Sequence, residues 1–261
     1  MKYNPKINIL ILNWNGKNVL GSCVESIKLS TYKNLFITII DNGSTDNSLD
    51  KFIYEKNIRI IRIKKNLGFA KGYNYAFREI INKDDDYYLI LNNDAILLPD
   101  TIANLLNSAS KYGDQNIYSP KILNARNDRI WFSGGAFNFF TGNPYHLGID
   151  KKELNVIYKT KKTFFVSACC MLISKKTINI LNGFNESYKM YFEDVDLCCR
   201  AKYYNIDSYF VSDSTAYHNV SYSLGGRFSF IKNIYKTVSF FKFLFFNNNI
   251  FYFIYYFLLN I

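Results

Sequence analysis

The fold assignment depends on the stretch Tyr87-Tyr88-Leu89-Ile90-Leu91-Asn92-Asn93-Asp94, in which an aromatic and aliphatic run ends in polar residues. A short continuous apolar run is typical of a strand that is buried on both faces of a parallel sheet. Asn92, Asn93 and Asp94 carry side-chain oxygen atoms, which are the donors that Mg²⁺ and Mn²⁺ prefer. The stretch therefore predicts a buried strand, residues 87–91, whose carboxyl end can bind a cation.

Similar apolar runs precede this strand and alternate with helical patterns. The other predicted strands are 7–12, 36–40 and 58–63, and the predicted helices are 19–30, one that starts at Asp46, and 68–81. This alternation indicates a parallel sheet with right-handed crossovers. We therefore expect an α/β protein with a Rossmann-like, mostly parallel sheet flanked by helices.

Polar residues follow all four predicted strands. They are Asn13-Trp14-Asn15-Gly16, Asp41-Asn42-Gly43-Ser44, Asn66-Leu67-Gly68 and Asn92-Asn93-Asp94. Each loop alone is as consistent with an ordinary turn as with a site, since Asn, Asp and Gly are turn formers. Ligands of open α/β sheets bind at the carboxyl ends of the strands, so the four loops together predict a ligand site at that edge.

The second half of the chain is less regular. We expect helices at 100–112, 174–181 and 193–204, strands at 130–137, 164–173 and 208–211, and a mobile polar segment at 138–162. No internal repeat is visible, so a repeat architecture is not indicated.

An acidic cluster, Glu193-Asp194-Val195-Asp196, opens the last of these helices. Such a cluster is typical either of a helix start or of a positioned general base. Asp194 and Asp196 are separated by about 200° around the helix, so they face opposite sides. Asp196 lies four residues before Arg200, which predicts an ordinary ion pair. We therefore assign Asp196 to structure and Asp194 to chemistry.

The composition favours a globular intracellular protein. The chain has 261 residues, 49% of them hydrophobic, and a net charge of +11. Its five cysteines form no C-x-x-C motif, so we expect free buried thiols in a reducing cytosol. The apolar run 7–12 is too short for a signal peptide. These features predict a cytoplasmic location.

The C-terminal tail, residues 227–261, differs from the rest of the chain. No acidic residue follows Asp213, and Arg227, Lys232, Lys236 and Lys242 alternate with apolar residues. This pattern favours a membrane surface over nucleic acid as the partner. The ten apolar residues 250–259 cannot span a bilayer, which needs about 20. We expect one domain, 1–226, and an amphipathic helical tail that lies on the inner face of the cell membrane. The alternative is a helix packed on the domain.

Five motifs in order resemble the family 2 glycosyltransferases of the GT-A fold, and within them the rhamnosyltransferase-like members. The resemblance covers about residues 5–225, and the motifs are Ile11-Leu12-Asn13-Trp14-Asn15, Asp41-Asn42-Gly43-Ser44-Thr45-Asp46, Asn66-Leu67-Gly68-Phe69-Ala70-Lys71-Gly72, Leu91-Asn92-Asn93-Asp94-Ala95 and Met190-Tyr191-Phe192-Glu193-Asp194-Val195-Asp196-Leu197. The resemblance implies an inverting transfer of a sugar from a nucleotide-diphosphate donor, such as a UDP-sugar, dTDP-sugar or dTDP-rhamnose. The implied acceptor is a hydroxyl of a growing or lipid-linked glycan in surface polysaccharide synthesis.

The resemblance also assigns site residues. It implies that Asp194 is the catalytic base, and that Asp94 and His218 bind Mg²⁺ or Mn²⁺. It implies that Asp41 accepts a hydrogen bond from a pyrimidine base. The other residues that it places near the nucleotide are Asn13, Asn15, Asn66, Gly68, Lys71, Asn92 and Asn93. Two departures from the family pattern are Asn92, where the acidic motif usually begins with Asp, and the late glycines Gly225 and Gly226 after His218.

Three alternatives compete with this interpretation. A nucleotidyltransferase needs a basic, glycine-rich loop after the first strand, and a dehydrogenase needs G-x-G-x-x-G there. Asn13-Trp14-Asn15-Gly16 supplies neither. A non-catalytic, degenerate transferase that binds nucleotide or scaffolds a complex remains open because of Asn92.

Overall fold

A computed structural model describes residues 4–80, 83–138, 141–153, 159–219 and 230–246. The strands are β1 (Ile7–Asn13), β2 (Leu35–Asp41), β3 (Ile58–Arg62), β4 (Tyr87–Asn92), β5 (Ala95–Leu97), β6 (Ile117–Asn124), β7 (Ile130–Phe132), β8 (Gly135–Asn138), β9 (Asn143–His146), β10 (Lys161–Thr163), β11 (Cys170–Ser174) and β12 (Ser208–His218). The helices are α1 (Leu20–Lys28), α2 (Phe69–Ile80), α3 (Thr101–Tyr112), α4 (Lys175–Leu181), α5 (Glu193–Tyr203) and α6 (Phe230–Phe246).

The central sheet has the strand order β10-β12-β6-β11-β4-β1-β2-β3, with β5 beside β12 and β7 beside β6. The neighbours β4, β1, β2 and β3 are all parallel, as the alternating pattern predicts. β11 is inserted antiparallel between β4 and β6. The α/β prediction with a mostly parallel sheet is confirmed.

The register of the parallel strands brings their polar ends to one level. Asn13 lies opposite Asp41, Leu12 opposite Asn92, and Asp41 opposite Arg62. The apolar runs before these residues are buried, since the β1 and β4 side chains are covered on both faces. The polar loops therefore meet at one edge of the sheet.

The structure corrects several predicted elements. No α-helix starts at Asp46, whose carboxylate instead accepts hydrogen bonds from the amides of Lys17 and Ser48, and only a 3₁₀ turn follows at Asp50–Phe52. The predicted strand 130–137 is two strands, because Gly134 between them has φ +113°.

The remaining corrections concern the second half. The predicted strand 164–173 begins only at Cys170, and the predicted strand 208–211 continues to His218 through an irregularity after Val211. Within the predicted mobile segment 138–162, β9 pairs with β8 as a hairpin, and residues 139–140 and 154–158 lie outside the described residues. β5 and β6 are not predicted by the sequence at all.

Helix α6 packs on the rest of the protein, as in the alternative interpretation of the tail. Phe243 is buried there, whereas residues 227–229 and 247–261 of the tail lie outside the described residues. Among the helices that the structure describes, none combines the length and the hydropathy that crossing a bilayer requires.

Candidate active site

Asn13 lies at the centre of the polar edge and is fully buried. Its side-chain nitrogen donates to Ser44 Oγ at 3.2 Å and to Ser48 Oγ at 2.9 Å, and its oxygen accepts from Asn93 Nδ2 at 2.9 Å. These bonds tie the loops after β1, β2 and β4 together. In this structure Asn13 and Asn93 stabilise the edge, and their contact with a nucleotide stays a prediction.

Asp41, at the end of β2, is only 5% exposed. Its Oδ1 accepts from the amide of Ser44 at 3.0 Å, and its Oδ2 lies 3.6 Å from Arg62 Nη1. The second distance is too long for a hydrogen bond, so Oδ2 keeps the capacity to accept one from a ligand. Asn15 contacts the loop after β2, since its side-chain oxygen accepts from the amide of Thr45 at 2.8 Å.

The loop after β3 reaches across to a distant segment of the chain. Asn66 Oδ1 accepts from Asn42 Nδ2 at 3.1 Å and from the amide of Gly68 at 2.8 Å. Gly68 has φ +86°, and a Cβ atom there would lie 2.7 Å from the carbonyl oxygen of Lys189. Only glycine fits this position. The loop therefore rests on the backbone of residues 187–192, here called the α5 loop because it leads into α5.

Asp94 and His218 form a buried pair. His218 Nε2 lies 3.2 Å from Asp94 Oδ1, and the amide of Asn219 donates to the Asp94 carbonyl at 3.0 Å. The β12–β5 pairing places His218 opposite Ala95, directly after Asp94. The indole of Trp131 packs edge-on against the His218 ring at 4.6 Å. The His218 assignment thus depends on a strand that runs seven residues further than the sequence predicts.

This pair fits a divalent cation. Adjacent ligands of an octahedral ion with bonds of about 2.1 Å lie roughly 3 Å apart, close to the observed separation of the two side chains. His218 Nδ1 is buried and has no hydrogen-bond partner among the described residues. Within those residues no cluster of three or more His, Cys, Asp or Glu side chains could hold a metal, so water and a ligand would complete the coordination.

Asp194 lies in the first turn of α5 and is partly buried. Its Oδ2 accepts from the amide of Ala168 at 3.2 Å, and its Oδ1 accepts from the amide of Val195 at 2.9 Å. Burial raises the pKa of the Asp194 carboxyl above its ordinary value, although the two amide hydrogen bonds oppose that shift. A fixed carboxylate with a raised pKa is suited to accept a proton.

A two-residue segment, Ala168-Cys169, connects Asp194 with the cation pair. The Ala168 amide holds Asp194, and the Cys169 carbonyl accepts from the amide of Asn92 at 3.0 Å. Burial, then the charge of Asp94, and also that of Asp194, raise the pKa of the Cys169 thiol well above its usual range. Asp94 and Asp194 are therefore both close to this one short segment.

The other two acids of the cluster behave differently. Asp196 pairs with Arg200 at 2.8 Å, which confirms its structural assignment. Glu193 is buried, and its Oε2 has no hydrogen-bond partner among the described residues. Burial first, and then the neighbouring Asp194 and Asp196, raise the pKa of Glu193 to about 8. Glu193 is therefore mostly protonated at neutral pH.

Three remaining side chains occupy the periphery of this edge. Lys71 is exposed on α2, where its charge stabilises the Glu186 carboxylate. Asn92 is half-buried at the end of β4. His146 also packs edge-on against Trp131 at 4.6 Å, and burial lowers the pKa of His146 to about 4, so it is neutral at pH 7.

A cavity of about 950 Å³ lies at the opposite edge of the sheet, against Asp85, Tyr87 and Ser174, and holds none of the predicted site residues. The residues that sequence reasoning missed are the positioning groups Ser48, Trp131 and the Ala168 amide. No local pattern marks them, because each acts across more than 25 residues of sequence.

The chain is similar in sequence and structure to known glycosyltransferases. It is 25% identical over 223 residues to an N-acetylglucosaminyl-diphospho-decaprenol L-rhamnosyltransferase of Mycobacterium tuberculosis, covering 77% of this chain and 72% of that protein. The structure of GalNAc-T7 with UDP, GalNAc and Mn²⁺ superposes with a TM-score of 0.69 at 14% identity, covering 84% of this chain and 44% of that one. The mannosyltransferase PcManGT from Pyrobaculum calidifontis, in complex with GDP-Man and Mn²⁺, gives a TM-score of 0.62 at 14% identity, covering 85% of this chain and 59% of that one.

These structures share the fold, and this chain spans about half of their length. The sequence profile described as "Glycosyl transferase family 2" matches residues 8–180 of the 261, which is more than half of the chain and contains the predicted nucleotide loops. The resemblance to rhamnosyltransferase-like members is confirmed by the mycobacterial relative. The chain therefore belongs to glycosyl transferase family 2 and is a glycosyltransferase of the GT-A fold.

Proposed function

We propose that this glycosyltransferase moves a sugar, with inversion, from a nucleotide-diphosphate donor to a hydroxyl of a growing or lipid-linked glycan in surface polysaccharide synthesis. The proposed donor is a UDP- or dTDP-sugar, with dTDP-rhamnose the first to test because of the similarity to an L-rhamnosyltransferase. Asp194 takes the proton from the acceptor hydroxyl. That oxygen then attacks the anomeric carbon from the face opposite the diphosphate.

The placement of Asp194 carries this proposal. Both of its oxygens are held by backbone amides, and it makes no ion pair among the described residues. A carboxylate without a cationic partner is free to accept a proton, whereas Asp196 is already engaged by Arg200. The Ala168-Cys169 segment links Asp194 to Asn92, two residues before Asp94, and this supports a position of the base near the expected donor diphosphate.

Asp94 and His218 are the proposed ligands of a divalent cation. A bound Mg²⁺ or Mn²⁺ would neutralise charge on the departing diphosphate. The imidazole nitrogen of His218 favours Mn²⁺ over Mg²⁺, which prefers oxygen donors only. Asp41 Oδ2 is the proposed acceptor for the pyrimidine base, and Asn13, Asn15, Asn66, Gly68, Lys71, Asn92 and Asn93 are the proposed surroundings of the nucleotide.

The acceptor and helix α6 support a location on the inner face of the cell membrane. The mycobacterial relative is named for a lipid-diphosphate acceptor, decaprenol. Four exposed apolar side chains of α6 lie at helical spacing, and they are Ile234, Val238, Phe241 and Phe245, between 44% and 70% exposed. No acidic residue lies between 214 and 261, so an anionic bilayer would not repel this surface.

A degenerate, nucleotide-binding scaffold is the second candidate. It is favoured by Asn92, which removes one negative charge from the cation site, and by the presence of only two protein ligands among the described residues. Such a protein would bind a nucleotide without turning over the donor.

A donor screen followed by one substitution tests the proposal. Sugar nucleotides are screened with Mn²⁺ for thermal stabilisation, since a ligand that binds only the native state raises Tm. The stabilising donor is then used in transfer and donor-hydrolysis assays. Asp194→Asn should abolish transfer while donor affinity stays within about threefold, because loss of a base lowers turnover and not ground-state binding.

Asp114→Asn is the matched control, because it makes the same change to an exposed carboxylate elsewhere on the protein. It should transfer sugar at the wild-type rate. Near-normal transfer by Asp194→Asn would remove Asp194 from the mechanism. Donor binding without hydrolysis or transfer by the wild type would favour the scaffold.

A further inference from the structure

Helix α6 is hydrogen-bonded to the α5 loop. Ser239 is 3% exposed, and its Oγ donates to the carbonyl oxygen of Met190 at 2.7 Å. One turn further along the helix, Lys242 Nζ donates to the carbonyl oxygen of Ser187 at 2.6 Å. Two side chains of the C-terminal helix thus hold the first residue of the loop and its middle.

Aromatic packing adds to these bonds. The ring of Phe192, the last residue of the loop, lies 5.5 Å from that of Phe243 and 6.1 Å from that of Phe240. Phe243 is buried and also packs against Phe137 of β8 at 5.9 Å. Phe243 of α6 therefore contacts both the end of the loop and the β8–β9 hairpin.

The backbone of the loop requires such support. Tyr191 and Phe192 both have φ +68°, a left-handed conformation that bulky residues rarely adopt and that persists only when surrounding structure holds it. Phe192 is also the N-cap of α5, and it provides no side-chain capping bond. Its carbonyl accepts from the amide of Asp196 at 2.9 Å, which starts the helix. The orientation of the first turn, which carries Asp194, therefore depends on contacts from outside α5.

We infer that Ser239 and Lys242 of α6 are positioning residues for the catalytic base. They fix the α5 loop from outside and so hold the Asp194 carboxylate where it meets the acceptor hydroxyl. The inference rests on the proposed function for the role of Asp194. The C-terminal helix would then help to orient the catalytic base, which is a role distinct from membrane binding and from packing in the core.

Ser239→Ala tests the inference, and Thr237→Ala is its matched control. Both remove one hydroxyl from the same helix, but Thr237 is exposed. We expect Ser239→Ala to lower kcat about tenfold or more with donor KM unchanged, because small displacements of a catalytic group slow the reaction without weakening binding. Lys242→Met keeps the aliphatic stem and should have the same effect, which keeps the test valid if Ser239→Ala fails to fold.

Hydrogen exchange of the nucleotide-free protein gives a second readout that does not depend on activity. Amides of residues 190–196 should exchange faster in Ser239→Ala and Lys242→Met, and as in the wild type in Thr237→Ala. Unchanged exchange and unchanged kcat in the first two variants would overturn the inference, and so would faster exchange with normal kcat. If exchange responds as expected but the wild type transfers no sugar from any donor, the proposed function fails while the attachment of the loop by α6 stands.

Discussion

Glu193→Gln should stabilise the protein at neutral pH, because Glu193 is a buried carboxyl whose Oε2 has no partner among the described residues. Burial and the adjacent acids raise its pKa from 4.5 to about 8. The folded protein therefore holds this proton more tightly than the unfolded chain does. The contribution to stability is complete below about pH 4.5 and is lost as pH rises toward 8.

The size of the effect follows from the two pKa values. At pH 7 the unfolded chain has released the proton and the folded protein has mostly kept it, which lowers the free energy of unfolding by about 3 kcal/mol relative to acid pH. Glutamine has the shape of the protonated side chain and never ionises. The variant should exceed the wild type by up to about 3 kcal/mol at pH 7, with the buried amide's own desolvation reducing that gain.

Urea denaturation at pH 4.5, 6, 7 and 8 measures the difference between the two proteins. The difference should be small at pH 4.5 and grow at each step. General charge repulsion from the basic chain cancels, because it acts on both proteins alike. Glu79→Gln, at an exposed position, should stay within about 0.5 kcal/mol of the wild type throughout. A difference that is constant with pH, or that shrinks as pH rises, would refute the reasoning.

Two further predictions concern the cation and the membrane. Asp94→Ala should remove the Mn²⁺ dependence of nucleoside diphosphate binding, which calorimetry with and without chelator measures. If the wild type binds with equal affinity in both conditions, no metal bridges the diphosphate. Phe241→Ser combined with Phe245→Ser should weaken binding to anionic liposomes roughly ten- to thirtyfold, since two exposed phenylalanines that enter the bilayer surface would contribute about 2 kcal/mol. Leu29→Ser is the control, because Leu29 and Phe245 are both 70% exposed; equal loss in the control, or no liposome binding by the wild type, would contradict the membrane proposal.

The parallel half of the sheet could be predicted because its signals are local. Each of β1, β2 and β4 is an apolar run that ends in Asn or Asp, and burial on both faces of a sheet requires that pattern. The predicted helix at Asp46 is wrong because a distant residue, which the local sequence does not reveal, binds the Asp46 side chain. Its carboxylate receives the amide of Lys17, which lies 29 residues earlier in the chain.

The candidate site likewise has features that local sequence predicts and features that it does not. The sequence placed Asp194 and Asp196 on opposite faces of one helix from spacing alone, and the ion pair of Asp196 with Arg200 confirms the structural half of that assignment. The partners of Asp194 and His218 could not be predicted. Ala168 and Trp131 lie 26 and 87 residues away in sequence and are brought close only by the folded strands.

The sequence by itself determined the fold class and the edge of the sheet where the chemistry is expected, because side-chain periodicity and turn residues act within a few positions. The family followed from the resemblance of five motifs to known glycosyltransferases. Only the tertiary structure decided how the acids differ. Glu193 is buried and its pKa is raised, Asp194 is held by amides without a cation, and Asp196 is paired with Arg200. The structure also decided that α6 supports the α5 loop. Both outcomes depend on burial and on long-range contacts, which are properties of the packed chain and not of any short stretch of sequence.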